Sequence, residues 1–336
     1  MSIDDLFFPK RPPLWIRKLA HPLGSLPVSE INQTWLSTYR KCQRKGFLYG
    51  AHDRSRSPYY MFNGSVFHIA ADDAAISNDR DRWLRDTYDP RYWEDVFHRV
   101  WAFNSKDSYD VIDYDKYKSR LISKDTFRGT SVGMLIYFGL TMLESSGFEV
   151  VASEKRMKIE IPGGTPFVGT LDLQLKHRQL GLVICDTKTE GMAKAMFFGG
   201  STTKSSYTEE QVANHTQLTH YAWMGWRLGM WEPEDVGRHL IFTPTNLTKY
   251  VKGAKAGQMK GPPFHFGTPH PRNVYRYEED LAAWLKMAAA GNFARMYPST
   301  FGKLDCLSCP WAKQCLEDKS SDEVPDYIKE SVNGSN

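Results

Sequence analysis

Residues 167–188 read FVGTLDLQLKHRQLGLVICDTK, and this stretch decides the fold. Residues 167–175 and 180–187 are rich in apolar and β-branched side chains, parted by the polar turn His177, Arg178, Gln179. Two such runs joined so briefly read as an antiparallel β-hairpin. Asp172 falls near the middle of the first strand and Asp186 near the end of the second. Side chains alternate across a sheet, so Asp186 and Lys188 share one face while Thr187 points to the other. A register that sets Asp172 beside Asp186 then brings two carboxylates and an ammonium to one point.

Other elements are read outward from the hairpin. Upstream, residues 150–161 alternate as a strand, which a Pro-Gly-Gly turn at 162–164 ends. Downstream, a Gly/Ser/Thr/Lys-rich loop spans 191–207. Thr208 and Gln211 have capping-box spacing and open a helix that continues to about Gly229. A strand is expected over 238–242, a basic Gly/Pro-rich loop over 249–272 and a last helix over 278–290.

Nearer the N-terminus, residues 1–30 are Pro-rich and read as an irregular arm. Residues 29–50 look helical and carry Trp35, Tyr39 and Cys42. Ser65 is placed to cap a helix through Phe67, His68 and Ala71, opening a helical subdomain over about 65–145 with helices within 80–128 and over 131–145. The sheet-bearing core is expected over about 148–245, within one domain of residues 31–318, and residues 319–336 read as a disordered tail.

With 336 residues and a hydrophobic fraction of 41%, the chain has ample material for a core. A net charge of +4 permits a polyanionic partner without requiring one. No apolar run approaches the ~20 residues that span a bilayer, so no membrane role is expected. No basic segment followed by an apolar one opens the chain, and a reducing cytoplasm is the expected compartment. There, clustered cysteines are ligands more often than disulfides.

Two constellations carry chemistry. Asp172 and Asp186 offer hard oxygens to Mg²⁺ or Mn²⁺, with the backbone carbonyl of Thr187 as a further ligand. Such an ion polarises a scissile phosphate, and Lys188 can orient a water or offset developing charge. A lone D-x-K at a strand end is more often a solvated charge pair; G-T-L-D upstream and a helix downstream argue otherwise. That helix carries Gln217 and Tyr221, spaced i,i+4 on one face. The second constellation is Cys306, Cys309 and Cys315, in C-x2-C-x5-C, with Cys42 far away in sequence. Thiolates so spaced suit an iron–sulphur cluster or zinc, and no histidine follows them, which leaves Cys42 as the natural fourth ligand. Cys185 lies in an apolar run and reads as core.

The order G-x3-H, G-x-x-D, D-x-K, Q-x3-Y resembles the RecB-type branch of the PD-(D/E)XK nucleases. The flanking cysteines resemble its iron–sulphur members: the AddB-type nuclease domain, exonuclease V and the CRISPR-adaptation exonucleases. The resemblance implies a restriction-endonuclease-like mixed sheet flanked by helices, with a helical insertion and an iron–sulphur clasp joining the terminal segments. It implies metal ligation by His68, Asp172 and Asp186, catalysis by Lys188 with Gln217 and Tyr221, and a [4Fe–4S] cluster on Cys42, Cys306, Cys309 and Cys315. Thr187 stands where relatives often carry an aromatic residue, and Glu190 where a glycine is common. The expected activity is a Mg²⁺/Mn²⁺-dependent DNA exonuclease on single strands or duplex ends. The alternatives are a catalytically inactive DNA-binding subunit of a recombination, repair or CRISPR-adaptation complex, and an RNA-directed nuclease. Lys194, Lys204, Lys249, Lys252, Lys255 and Lys260 are candidate phosphate contacts. No G-x4-G-K-[ST] motif occurs, so unwinding would fall to a separate helicase.

Overall fold

The computed structural model describes residues 26, 28–43, 45–46, 59–77, 79–87, 89–103, 147–161, 164–188, 207–243 and 264–289. The chain divides into two units, one of Met1–Ser55, Lys158–Gly169 and Arg276–Asn336, the other of Arg56–Met157 and Thr170–Tyr275.

In the first unit, helix α1 (Gln33–Lys41) starts at Asn32, whose side-chain oxygen accepts from the Trp35 N–H at 2.8 Å. This satisfies one of the donors that a helix start leaves open. Trp35 and Tyr39, one turn apart, stack at 5.4 Å, and the indole N–H donates to the Gly46 carbonyl. Just before α1, Ile31 forms a parallel bridge with Phe167. Arg40 lies 4.0 Å over the ring of Trp284, on the later part of helix α7 (Pro271–Ala289). Tyr277, Leu281, Leu285 and Ala288 of α7 are buried at i, i+4, i+8 and i+11, the apolar stripe of an amphipathic helix.

The second unit is built on a five-stranded mixed sheet in the order β1 (Phe148–Ile159), β2 (Phe167–His177), β3 (Gly181–Thr187), β4 (Val236–Phe242), β5 (Phe264–Gly267). The ends of β1 and β2 fall in the ranges of the first unit. Strands β2 and β3 pair antiparallel, β3 and β4 parallel, and β4 and β5 antiparallel. The hairpin read from sequence is present, and its turn is tied by His177 Nδ1, which accepts from the Gln179 and Leu180 N–H groups at 3.2 and 3.1 Å.

One core joins the sheet to helices α2 (Tyr59–Ile76) and α4 (Pro90–Phe103). Val66, Phe67, Ala70 and Ala74 of α2, with Trp93, Val96, Phe97 and Val100 of α4, meet Leu173, Leu175, Val183, Cys185, Leu240 and Phe242. Cys185 is therefore core, as expected. Helix α3 (Arg80–Thr87) precedes α4. The parallel β3–β4 pair requires a crossover, which contains α5 (Glu209–Ala213), packed on β4 and β5, and α6 (Thr216–Arg227), packed on β3.

Several boundaries differ from the sequence reading. The helix expected from Thr208 to Gly229 is two helices. Its capping box is present, but Asn214 and His215 leave helical geometry (ψ 16° and 118°), which frees α5 and α6 to pack on different strands. Helix α2 begins at Tyr59, so Ser65 lies inside it and does not cap it. The loop expected over 249–272 contains β5, and α7 starts at Pro271, where proline's fixed φ suits a first turn. The predicted helix over 131–145, the loop over 191–206 and the tail lie outside the described residues. Among the described residues no helix is long and apolar enough to cross a membrane.

Candidate active site

Asp172 and Asp186 meet because of the hairpin register. Leu173 pairs with Cys185, and Asp172 and Asp186 are the next residues along the two strands, away from the turn. The Thr187 amide N–H donates to Asp172 Oδ2 at 2.7 Å, fixing that carboxylate, while the Thr187 side chain is buried. The ladder continues one residue past β3, where the Lys188 N–H donates to the Phe242 carbonyl at 2.8 Å. Lys188 is thereby held in strand geometry, and its ammonium sits 2.7 Å from Asp186 Oδ2.

Helix α6 completes that side. Lys188 Nζ donates to Gln217 Oε1 at 2.6 Å, and Gln217 Nε2 donates to the Tyr221 hydroxyl at 2.8 Å. One helical turn separates Gln217 from Tyr221, so the i,i+4 spacing becomes a continuous relay from phenol to amide to ammonium to carboxylate. At the start of α6, His215 is close enough to feel the charges of Asp186 and Lys188, and burial lowers its pKa.

His68 enters from α2. Its Nδ1 lies 3.5 Å from Glu154 Oε1 and 3.8 Å from Asp172 Oδ2. One ligand atom each from His68, Glu154 and Asp172 falls within 4.8 Å of the others. Glu154 is absent from the sequence prediction. It stands in β1 with φ +45°, the one non-glycine residue with positive φ among the described residues. The signal for it is weak: Glu154, Lys155 and Arg156 interrupt a strand that otherwise alternates around Val150, Met157 and Ile159.

The electrostatics fit a cation. Burial raises the pKa of Asp172 and of Asp186, against the pull of His68 on the first and of Lys188 on the second. Burial alone would lower the His68 pKa, but Asp172, Glu154 and Asp186 together bring it up to about 9. Burial would likewise lower the Lys188 pKa, and Asp186 overrides it. Three carboxylates crowded around one imidazole and one ammonium form a partly desolvated cluster in which acidic groups outnumber basic ones. Hard oxygens with one imidazole nitrogen are a donor set for Mg²⁺ or Mn²⁺.

Of the iron–sulphur candidates, only Cys42 is described. It is half-buried at the C-cap of α1, and the Lys45 N–H points at its sulphur at 3.4 Å. Cys306, Cys309 and Cys315, and the lysines at 194, 204, 249, 252, 255 and 260, lie outside the described residues. Comparison with curated proteins found no match. Residues 30–316 match the family model described as the PD-(D/E)XK nuclease superfamily, whose members are in general metal-dependent nucleases. With the match covering most of the sequence and a mixed sheet carrying an Asp/Asp/Lys site, this chain belongs to the PD-(D/E)XK nuclease superfamily.

Proposed function

We propose that this protein is a RecB-type, Mg²⁺- or Mn²⁺-dependent DNA exonuclease acting on single strands or duplex ends. The observation that carries the reading is the chain of contacts Asp186–Lys188–Gln217–Tyr221 beside Asp172 and His68. His68, Asp172, Asp186 and the Thr187 carbonyl would hold the cation, which supplies Lewis acidity to the phosphate and acidifies water. Lys188 does the rest of the charge work. Its ammonium, kept protonated by Asp186, can donate to the scissile phosphate as charge builds on the oxygens. Gln217, itself held by Tyr221, keeps that ammonium in place and limits its rotamer freedom before substrate arrives. The single-strand preference comes from the resemblance, and lysines 194, 204, 249, 252, 255 and 260 are the proposed phosphate contacts.

The [4Fe–4S] cluster on Cys42, Cys306, Cys309 and Cys315 belongs to the same proposal. It is supported by the N–H group aimed at the Cys42 sulphur and by the contact of α1 with α7, the last described helix before the cysteine triplet. Digestion of end-labelled single-stranded DNA, matched RNA and duplex DNA, with and without Mn²⁺, tests the activity. Metal-dependent shortening of DNA supports the reading, and preferential loss of RNA transfers it to an RNA-directed nuclease. DNA binding without cleavage by any metal-loaded preparation marks a binding subunit instead.

A further inference from the structure

Strand β1 sends Glu154 into the site by breaking its own regularity. A non-glycine residue at φ +45° is held at a cost on the order of 1–3 kcal/mol, and such residues collect where function over-determines the backbone. The result is a carboxylate oxygen 3.5 Å from His68 Nδ1, with Asp172 Oδ2 3.8 Å from the same nitrogen. That shared nitrogen is informative. A carboxylate that merely orients a metal-binding histidine bonds the ring nitrogen facing away from the metal. Here Glu154 and Asp172 both face Nδ1, so Glu154 stands on the ligand side of the ring.

We propose that Glu154 is itself a ligand of the divalent cation, forming with His68 and Asp172 a three-donor set. Their ligand atoms lie within 4.8 Å of one another, a spread that one ion of the Mn²⁺ class can span with small side-chain adjustments. Asp186, the further ligand proposed above, is paired with Lys188 and would meet the same ion from the lysine-bearing side. Asp172 therefore borders both the cation held by His68 and Glu154 and the lysine-bearing half of the site. This assignment rests on the nuclease reading for the identity of the ion, but it can fail separately.

The test is calorimetric titration of Mn²⁺ into the intact protein and into E154Q, E154G and E149Q, with cleavage assayed in parallel. Glu149 is exposed on the same strand, so E149Q controls for a lost surface charge. E154Q and E154G should weaken Mn²⁺ binding by more than about 100-fold, beyond the roughly 10–100-fold that losing an orienting partner costs, and E149Q should not. Glycine adopts φ +45° freely, so E154G should melt no lower than the parent without metal yet gain less from added Mn²⁺. This variant keeps the test decisive if E154Q folds poorly. Weakening of about 100-fold or less in both Glu154 variants, or no Mn²⁺ binding by the parent, overturns the assignment. Glu154-dependent Mn²⁺ binding in a protein that cuts no nucleic acid upholds the ligand and defeats the nuclease. Cleavage lost in D186N while the Glu154 variants bind Mn²⁺ normally does the reverse.

Discussion

At the residue scale, the site separates groups that hold charge from groups that hold other groups. Asp186 is 1% exposed and touches Lys188 at 2.7 Å, so it orients the lysine and, on the proposed reading, also binds the cation. D186N should lower cleavage on the order of 10³-fold, the several kcal/mol that a cation ligand supplies, while circular dichroism stays native. K188A removes the donor to the developing charge and should cost about 10²–10³-fold in turnover at saturating Mn²⁺, with DNA affinity little changed. Y221F removes a hydroxyl two contacts from the chemistry and should cost only about tenfold, one net hydrogen bond. A Y221F loss as large as that of K188A would mean that the phenol touches substrate directly.

At the element scale, what the sequence revealed depended on whether a periodic rule applied. The β2–β3 hairpin was legible because alternation puts Asp186 and Lys188 on one face, and Gln217 with Tyr221 because four residues make one helical turn. His68 was found through the resemblance alone, since a single histidine inside an apolar helix carries no pattern. Glu154 was missed because a φ of +45° reverses the alternation that a reader relies on. The split between α5 and α6 was missed for a related reason: packing on different strands, which no local propensity reports, sets the break. Helix α6 also depends on Gly225. A Cβ there would overlap the ring of Trp231, whose indole N–H donates to the Ala222 carbonyl. G225A should therefore destabilise by about 1–3 kcal/mol in urea unfolding and reduce turnover, because the displaced helix carries Gln217 and Tyr221. Strand β4 holds a pH-sensitive group. His239 is fully buried, and that burial lowers its pKa to about 4 from 6.5. The unfolded chain takes up this proton first, so the stability due to a neutral His239 is complete above pH 6.5 and is lost as pH falls toward 4. The loss amounts to roughly 3 kcal/mol. The buried Asp172 and Asp186, with raised pKa values, act in the opposite sense and are relieved by acid. H239L should flatten the acid limb of the stability curve, and an unchanged slope would place the titrating group elsewhere.

At the scale of the whole molecule, the proposed clasp would draw its ligands from cysteines far apart in sequence. Cys42 and Cys306 are separated by most of the chain, yet closing a long loop costs only slowly more as it lengthens. Metal–thiolate binding on the order of 10 kcal/mol outweighs that cost and becomes folding free energy. A cluster held at both ends of the sequence would therefore couple stability to cofactor loading, and the Cys42 position can carry one ligand: it is half-buried, at a helix end, with an amide aimed at sulphur. Protein purified without oxygen should be brown and contain about four irons with matching sulphide. C42S should lose the colour and unfold at lower temperature, and if it remains folded its Mn²⁺ titration should match the parent's, because Cys42 is not among the described donors near Asp172. A colourless parent holding one zinc would replace the cluster with a zinc clasp and leave the coupling argument intact. A parent holding neither metal, with C42S as stable as wild type, would remove the clasp altogether and leave the site on β1, the hairpin, α2 and α6 to stand without it.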